Sequence, residues 1–129
     1  MQHFTCTCGN TLYFNSSRCL KCGTGVGYDP LTRRIQPVLA NGGPFKRCAN
    51  GIQHAVCNWL LPSTSAEVFC SSCRLNRTIP DLRSPRNQML WSRMEAAKHR
   101  LLHTLHGLGF SVPTQAENPV AGLAFDIVS

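Results

Sequence analysis

The sequence predicts a small metal-stabilised α+β chain, with two consecutive four-cysteine β units followed by one long amphipathic helix. Three observations predict it. Eight cysteines fall in two groups of four, Cys6, Cys8, Cys19 and Cys22, then Cys48, Cys57, Cys70 and Cys73, and each group closes on a Cys-x-x-Cys pair. Both groups lie in the first 73 of 129 residues, a segment with little core of its own that needs staples. Beyond them, Ser84-Pro85 opens a run in which Leu90, Met94, Ala97, Leu101, Leu105 and Leu108 recur at helical spacing.

Four thiolates are what one tetrahedral Zn²⁺ requires, so the cysteines read as two structural zinc ions in two closed sites. A closed site leaves no coordination position for water or substrate. The alternative is a secreted disulfide framework. The start Met1–Cys6 shows no charged n-region and no apolar h-region, so no signal peptide is visible. A cytoplasmic location is therefore expected, where reduced thiols remain available for metal. No run of 18 apolar residues is present, so no membrane partner is expected.

Residues 1–30 read as the first zinc-ribbon-like unit. Cys6-Thr-Cys8-Gly9 is a tight turn, Thr11–Phe14 a β-prone run, and Cys19-Leu-Lys-Cys22-Gly23 a knuckle whose glycine supplies a positive φ. Gly25, Gly27, Asp29 and Pro30 predict turns or an exit from the unit. Residues 31–44 read as a connector, with Ile35, Val38 and Leu39 on an edge strand around Pro37 and a loop at Asn41–Pro44. Residues 45–83 form the second unit and a basic arm. Phe45–Cys48 and Ala55–Leu61 read as strands and Cys70–Cys73 as the closing knuckle. The long gap from Cys48 to Cys57 leaves His54 as the alternative to Cys48, which is preferred because an all-thiolate set matches the first site. Trp59 reads as a core aromatic over the second site, against a stacking platform for a nucleobase.

Residues 74–83 predict an extended arm. Ser84 is the expected N-cap, Pro85 the first helical residue, and the helix runs to about His106, within a unit spanning 84–109. That helix is too long for the small units to cover, so its apolar stripe is expected to pack on something else. His99, His103 and His106 fall on the opposite, polar face and are expected to be solvated. The pair His99-Arg-Leu-Leu-His103 has zincin spacing, but Arg100 stands where the general base should be and cannot accept a proton. No catalytic residue is assigned. Residues 110–129 predict a loop and an apolar, strand-like terminal segment that continues into a further domain or is lent to a partner.

The formal charge of +7 falls to about +3 once each Zn²⁺ and its four thiolates contribute −2. The basic residues concentrate from Arg74 to Arg100 against only Asp81 and Glu95. This stretch carries the alternative function, a nucleic-acid-binding zinc-ribbon module. Six acidic residues, scattered singly, offer little to acid–base catalysis.

The residues also resemble a known family. Cys6-Thr-Cys-Gly9, Leu12-Tyr-Phe-Asn15, Cys19-Leu-Lys-Cys-Gly23, Arg47-Cys-Ala-Asn50, Val56-Cys-Asn-Trp-Leu60 and Phe69-Cys70 carry the resemblance. So do Cys73-Arg-Leu-Asn-Arg-Thr-Ile-Pro-Asp-Leu82, Leu90-Trp91, Ala97-Lys98 and Gly122-Leu-Ala-Phe-Asp126. In these segments the chain resembles the N-terminal zinc-ribbon region of a bacterial family named as zinc-binding metallopeptidases. The resemblance covers nearly the whole chain, and Cys73–Leu82 is its most specific part. It implies that the parent is a zinc hydrolase whose His-Glu-x-x-His segment lies beyond these residues. This chain would be its noncatalytic part, scaffolding its own C-terminal catalytic domain or binding a protein partner. Only the eight cysteines carry over, as metal ligands.

Overall fold

The computed structural model describes residues 3–39, 43–110, 112–114, 117 and 122–127. Strands β1 (His3–Thr5) and β2 (Thr11–Tyr13) pair antiparallel, with Phe4 opposite Leu12. Strands β3 (Val26–Asp29) and β4 (Arg34–Pro37) form the next hairpin, with Tyr28 opposite Ile35. Asp29 fixes the turn between them by accepting from the Leu31 and Thr32 amides and the Thr32 hydroxyl. The turn expected at Gly25–Pro30 thus begins only after Asp29, and Val26–Asp29 is a fully buried strand. Gly27 makes that strand possible: a Cβ there would lie 2.5 Å from the Asn58 carbonyl oxygen and 2.5 Å from Leu60 Cδ2. Residues 40–42, within the expected loop, lie outside the described residues.

In the second unit, β5 (Phe45–Arg47) pairs antiparallel with β6 (Leu60–Pro62). Between them lies a short helix, α1 (Ala49–His54), where the sequence predicts none. It fills the long Cys48–Cys57 gap and ends on Ala55 in the left-handed region, φ 55°. The predicted strand from Ala55 shortens accordingly. The two units are joined side by side: the Tyr28 amide donates to the Asn58 carbonyl at 2.8 Å, and Tyr28 bridges to Trp59. An apolar cluster results, with Tyr28, Trp59, Leu61, Leu75 and Leu102 beside the sulfurs of the second unit and Phe4, Phe14 and Ile35 against it; Cys6, Leu12, Cys19 and Val26 form another, which shares Phe4 and Ile35 with the first.

A turn of 3₁₀ helix at Cys73–Leu75 leads into β7 (Asn76–Thr78) and then α2 (Pro85–Gly107), 23 residues or about 34 Å. Ser84 sits at the N-cap with extended backbone and Pro85 at the first position, although the Ser84 side chain makes no capping bond. Helix α2 has two apolar aspects. Trp91, Glu95, Lys98, His99 and Leu102 are buried against the chain, whereas Leu90, Met94, Leu101 and Leu108 stay exposed. The apolar stripe is therefore left uncovered by the zinc units. The expectation of solvated histidines fails: His99 is 4% exposed, and His103 and His106 are half-buried. Trp91 and Leu102 set the buried face, and His99 shares their side of the helix.

The described part of the terminal segment folds back. Strand β8 (Phe125–Asp126) pairs parallel with β7, the Ile127 amide donates to the Thr78 carbonyl, and Ile127 packs with Val56 and Trp91. The described part of this segment thus pairs with the chain's own arm.

Candidate metal centres

The first four sulfurs are gathered by two turns. Cys6 leaves β1 and its carbonyl accepts the Gly9 amide at 2.8 Å, with Gly9 at φ 92°. The Cys19 carbonyl likewise accepts the Gly23 amide at 2.9 Å, with Gly23 at φ 78°. Cys6 Sγ lies 3.6 Å from Cys22 Sγ, and Cys8 Sγ 3.7 Å from Cys19 Sγ. All four sulfurs are within 4.8 Å of one another. A tetrahedron with Zn–S bonds of 2.3 Å has S···S edges of about 3.8 Å, so the spacing fits one Zn²⁺. Such distances are far beyond the S–S bond of a disulfide, and all eight cysteines are free. Cys6 and Cys19 are buried, while Cys8 and Cys22 face solvent.

The second four sulfurs come from the start of α1 (Cys48), the chain after it (Cys57) and the closing knuckle (Cys70, Cys73). They too lie within 4.8 Å of one another, and all are buried. Cys57 Sγ and Cys70 Sγ are 3.6 Å apart. Backbone amides point at the sulfurs: Cys70 N–H to Cys48 Sγ at 3.4 Å and Cys73 N–H to Cys70 Sγ at 3.3 Å. His54 stands outside this cluster, its ring 5.4 Å from that of Trp91, so the four-sulfur set excludes it on geometry. Trp59 is wholly buried in the core beside the second set, with no face for a nucleobase.

Without metal the sulfurs hold their protons unevenly, with Cys8 pushed up to about 11. Cys19 is drawn down from 9.0 to about 6, chiefly by the Cys22 backbone amide. Cys22 is lowered first by the Thr24 hydroxyl, 3.1 Å from its sulfur. In the buried set, bonds from Cys57, Cys70 and Cys73 hold Cys48 far below the usual thiol range. Cys57 is pushed well up, first because it donates to Cys48, and Cys70 first by burial. Without metal the four buried thiols titrate as one hydrogen-bonded set, with thiolate favoured at Cys48. A cation that replaces the remaining protons lets all four sulfurs ionise, which makes binding release protons.

The sequence missed His99. Its Nε2 lies 3.6 Å from Cys57 Sγ, and its ring stacks on Trp59 with centroids 4.8 Å apart. Burial, then the Lys98 charge, lowers its pKa to about 3, so the ring is neutral. With metal held by Cys57, its thiolate could only accept, so Nε2 would be the donor, an outer contact that would orient and temper the Cys57 sulfur. The signal lay in Trp91, Glu95, Lys98 and Leu102, whose spacings of four, three and four trace the buried face that includes His99.

Beside this centre is a buried polar knot. Glu95 Oε2 accepts from Trp91 Nε1 at 2.9 Å and Asn76 Nδ2 at 2.8 Å, and Glu95 Oε1 pairs with Lys98 Nζ at 2.9 Å. Lys98 also donates to Asn76 Oδ1 at 2.6 Å. The basic stretch is in part spoken for: Lys98 pairs with Glu95, Arg77 with Asp126, Arg83 with Asp81, and Arg74 donates to the Phe69 carbonyl.

Residues 3–84 match a zinc-ribbon domain family. Two relatives described as uncharacterised proteins, one from Mycobacterium bovis and one from Mycobacterium tuberculosis, are each 37% identical over 130 residues. Each match covers 100% of this chain and 38% of the relative, so the chain spans well under half the length of these relatives. No solved structure matches the chain.

Proposed function

Because the chain belongs to the zinc-ribbon family, with two four-cysteine clusters suited to two zinc ions, we propose that it is the noncatalytic N-terminal region of a longer zinc-dependent metallopeptidase. In this reading it acts in the cytoplasm and braces the catalytic part of its own polypeptide. The two ions are structural. Each is enclosed by four thiolates, so neither can polarise a substrate or activate water. The observation that carries the reading is this closure, together with the absence of a His-Glu-x-x-His segment from the 129 residues. The extra length of the mycobacterial relatives supports a region that works within a larger chain. The metallopeptidase assignment itself rests on the resemblance in Cys73–Leu82 and its flanking motifs.

The zinc-loaded chain should contain two zinc ions and eight thiols titratable after denaturation with chelator, and should hydrolyse no peptide. In the M. tuberculosis relative, deleting the residues that match this chain should lower the melting temperature of the rest and its zinc-dependent peptidase activity. An unaltered melting temperature and activity would remove the bracing role. Absence of chelator-sensitive peptidase activity from the intact relative would remove the metallopeptidase reading.

A further inference from the structure

The outer face of α2 has a regularity that the zinc units do not use. Leu90, Met94, Ala97 and Leu101 are exposed and alternate at spacings of four, three and four, and Leu108, the residue just past the helix end, is exposed seven residues after Leu101. That is the a/d pattern of a helix seam. Met94 is 54% exposed, Leu101 47% and Leu108 69%. Arg86, Arg93 and Arg100, each seven residues apart, run alongside at the flanking heptad position, and all three are exposed. Among the described residues none of these guanidinium groups has a hydrogen bond or an ion pair, whereas Arg77, Arg83 and Lys98 all have acidic partners.

We propose that this face docks an amphipathic helix carrying an apolar seam and an acidic flank, supplied by the remainder of the longer polypeptide. The proposal rests on the bracing function above and names the surface that performs it. Charge selects the occupant. Two copies of this chain packed antiparallel would set one arginine row against the other. Packed parallel, each row would meet the Trp91–Lys98 edge, which is buried in its own unit. An acidic flank meets neither obstacle and pairs with three arginines spaced one heptad apart. The supply from the same polypeptide follows from the relatives, in which the matched region is only 38% of the chain. Tethering also relieves the seam of any need for tight binding, because effective concentration in one chain is on the order of millimolar.

The test uses the zinc-loaded 129-residue protein and a fluorescent synthetic helix of about 22 residues, leucine at a and d and glutamate at e and g. Like charge keeps this peptide from pairing with itself, and a version with lysine at e and g is the control. Fluorescence anisotropy should show binding of the glutamate peptide at least tenfold tighter than of the lysine peptide. Arg93→Glu with Arg100→Glu should reverse that preference, and Leu101→Asp should abolish both. These substitutions are on the solvent face, and unchanged zinc content and melting temperature would verify the fold. Equal affinity for the two peptides, or indifference to the arginine reversal, overturns the proposal. So does a dimer by light scattering that Leu101→Asp dissolves, which would make a second copy the occupant. Binding of a mixed-sequence DNA duplex that needs the arginines but survives Leu101→Asp would also overturn it in favour of nucleic acid. Failure here removes the surface alone; the bracing role stands or falls by the deletion in the longer relative.

Discussion

His99 lies flat on Trp59, with an angle of 20° between the ring planes, while its Nε2 reaches the Cys57 sulfur. The stack locks the imidazole in place, and the imidazole in turn connects α2 to the second metal cluster. Trp59→Ala should therefore cost about 3–5 kcal/mol by chemical denaturation. It should also speed zinc loss from the second cluster. His99→Phe, which keeps the stack without the donor, should retain most of the stability but still quicken zinc loss. Equal zinc retention in His99→Phe and the parent would show that the Nε2 contact is idle.

The two clusters should part from zinc at different rates. Cys8 and Cys22 are exposed, whereas every sulfur of the second set is buried. With excess chelator and a colorimetric zinc dye, release should be biphasic, one equivalent in each phase. Cys22→Ser should remove the fast phase and Cys73→Ser the slow one, each with loss of structure in its own unit by circular dichroism. A single phase of two equivalents would contradict the burial difference.

Glu95 and Lys98 are both buried, at 0% and 3% side-chain exposure. Removing one charge leaves the other without water or counter-ion. Glu95→Ala should destabilise the chain by about 3–5 kcal/mol. Lys98→Met should be milder, because Glu95 keeps Trp91 and Asn76 as donors. Adding Lys98→Met to Glu95→Ala should recover part of the loss, since no lone ammonium then remains. A double variant as unstable as the sum of the singles would mean that the two residues are not coupled.

Asp126 on β8 is held at about 2, first by its bond from the Arg77 guanidinium. Its folded pKa lies below the ordinary 3.8, so its stabilising effect is present above that value and fades as pH falls toward 2. Carboxyl NMR titration should find Asp126 near 2 in the parent and nearer 3.8 in Arg77→Gln. The β7–β8 amides should exchange faster in the variant at neutral pH. An unmoved midpoint would break the link between the arm and the terminal segment.

The metal clusters were legible because cysteine spacing reflects chemistry that does not depend on the rest of the fold. Cys48 and Cys57 belong together despite their gap, because a short helix takes up the slack. That helix was hidden: Ala49–His54 is too short for a periodic signal and contains Gly51. Helix α2 was plain from Ser84-Pro85 and its leucines, yet its buried face was misread. Apolar periodicity picked out the leucines and methionines, but the face that packs inward includes Glu95, Lys98 and His99, which are buried because they satisfy one another and a sulfur. Hydrophobicity carries no signal for that kind of burial. The strand at Val26–Asp29 is concealed by glycines, because Gly27 marks a close approach to the segment at Asn58–Leu60 rather than a bend.

The Tyr28–Asn58 bond and the residues packed around it tie the two metal-holding units together. Two metal-holding units that share part of their interior are linked at equilibrium, even though one cluster releases its ion faster than the other. An ion in either one orders residues on which the other relies, so each raises the other's affinity by the same factor. Zinc uptake should accordingly be cooperative, with singly loaded chains scarce at half saturation. At limiting zinc, half-built copies would be fewer than two unlinked sites would leave.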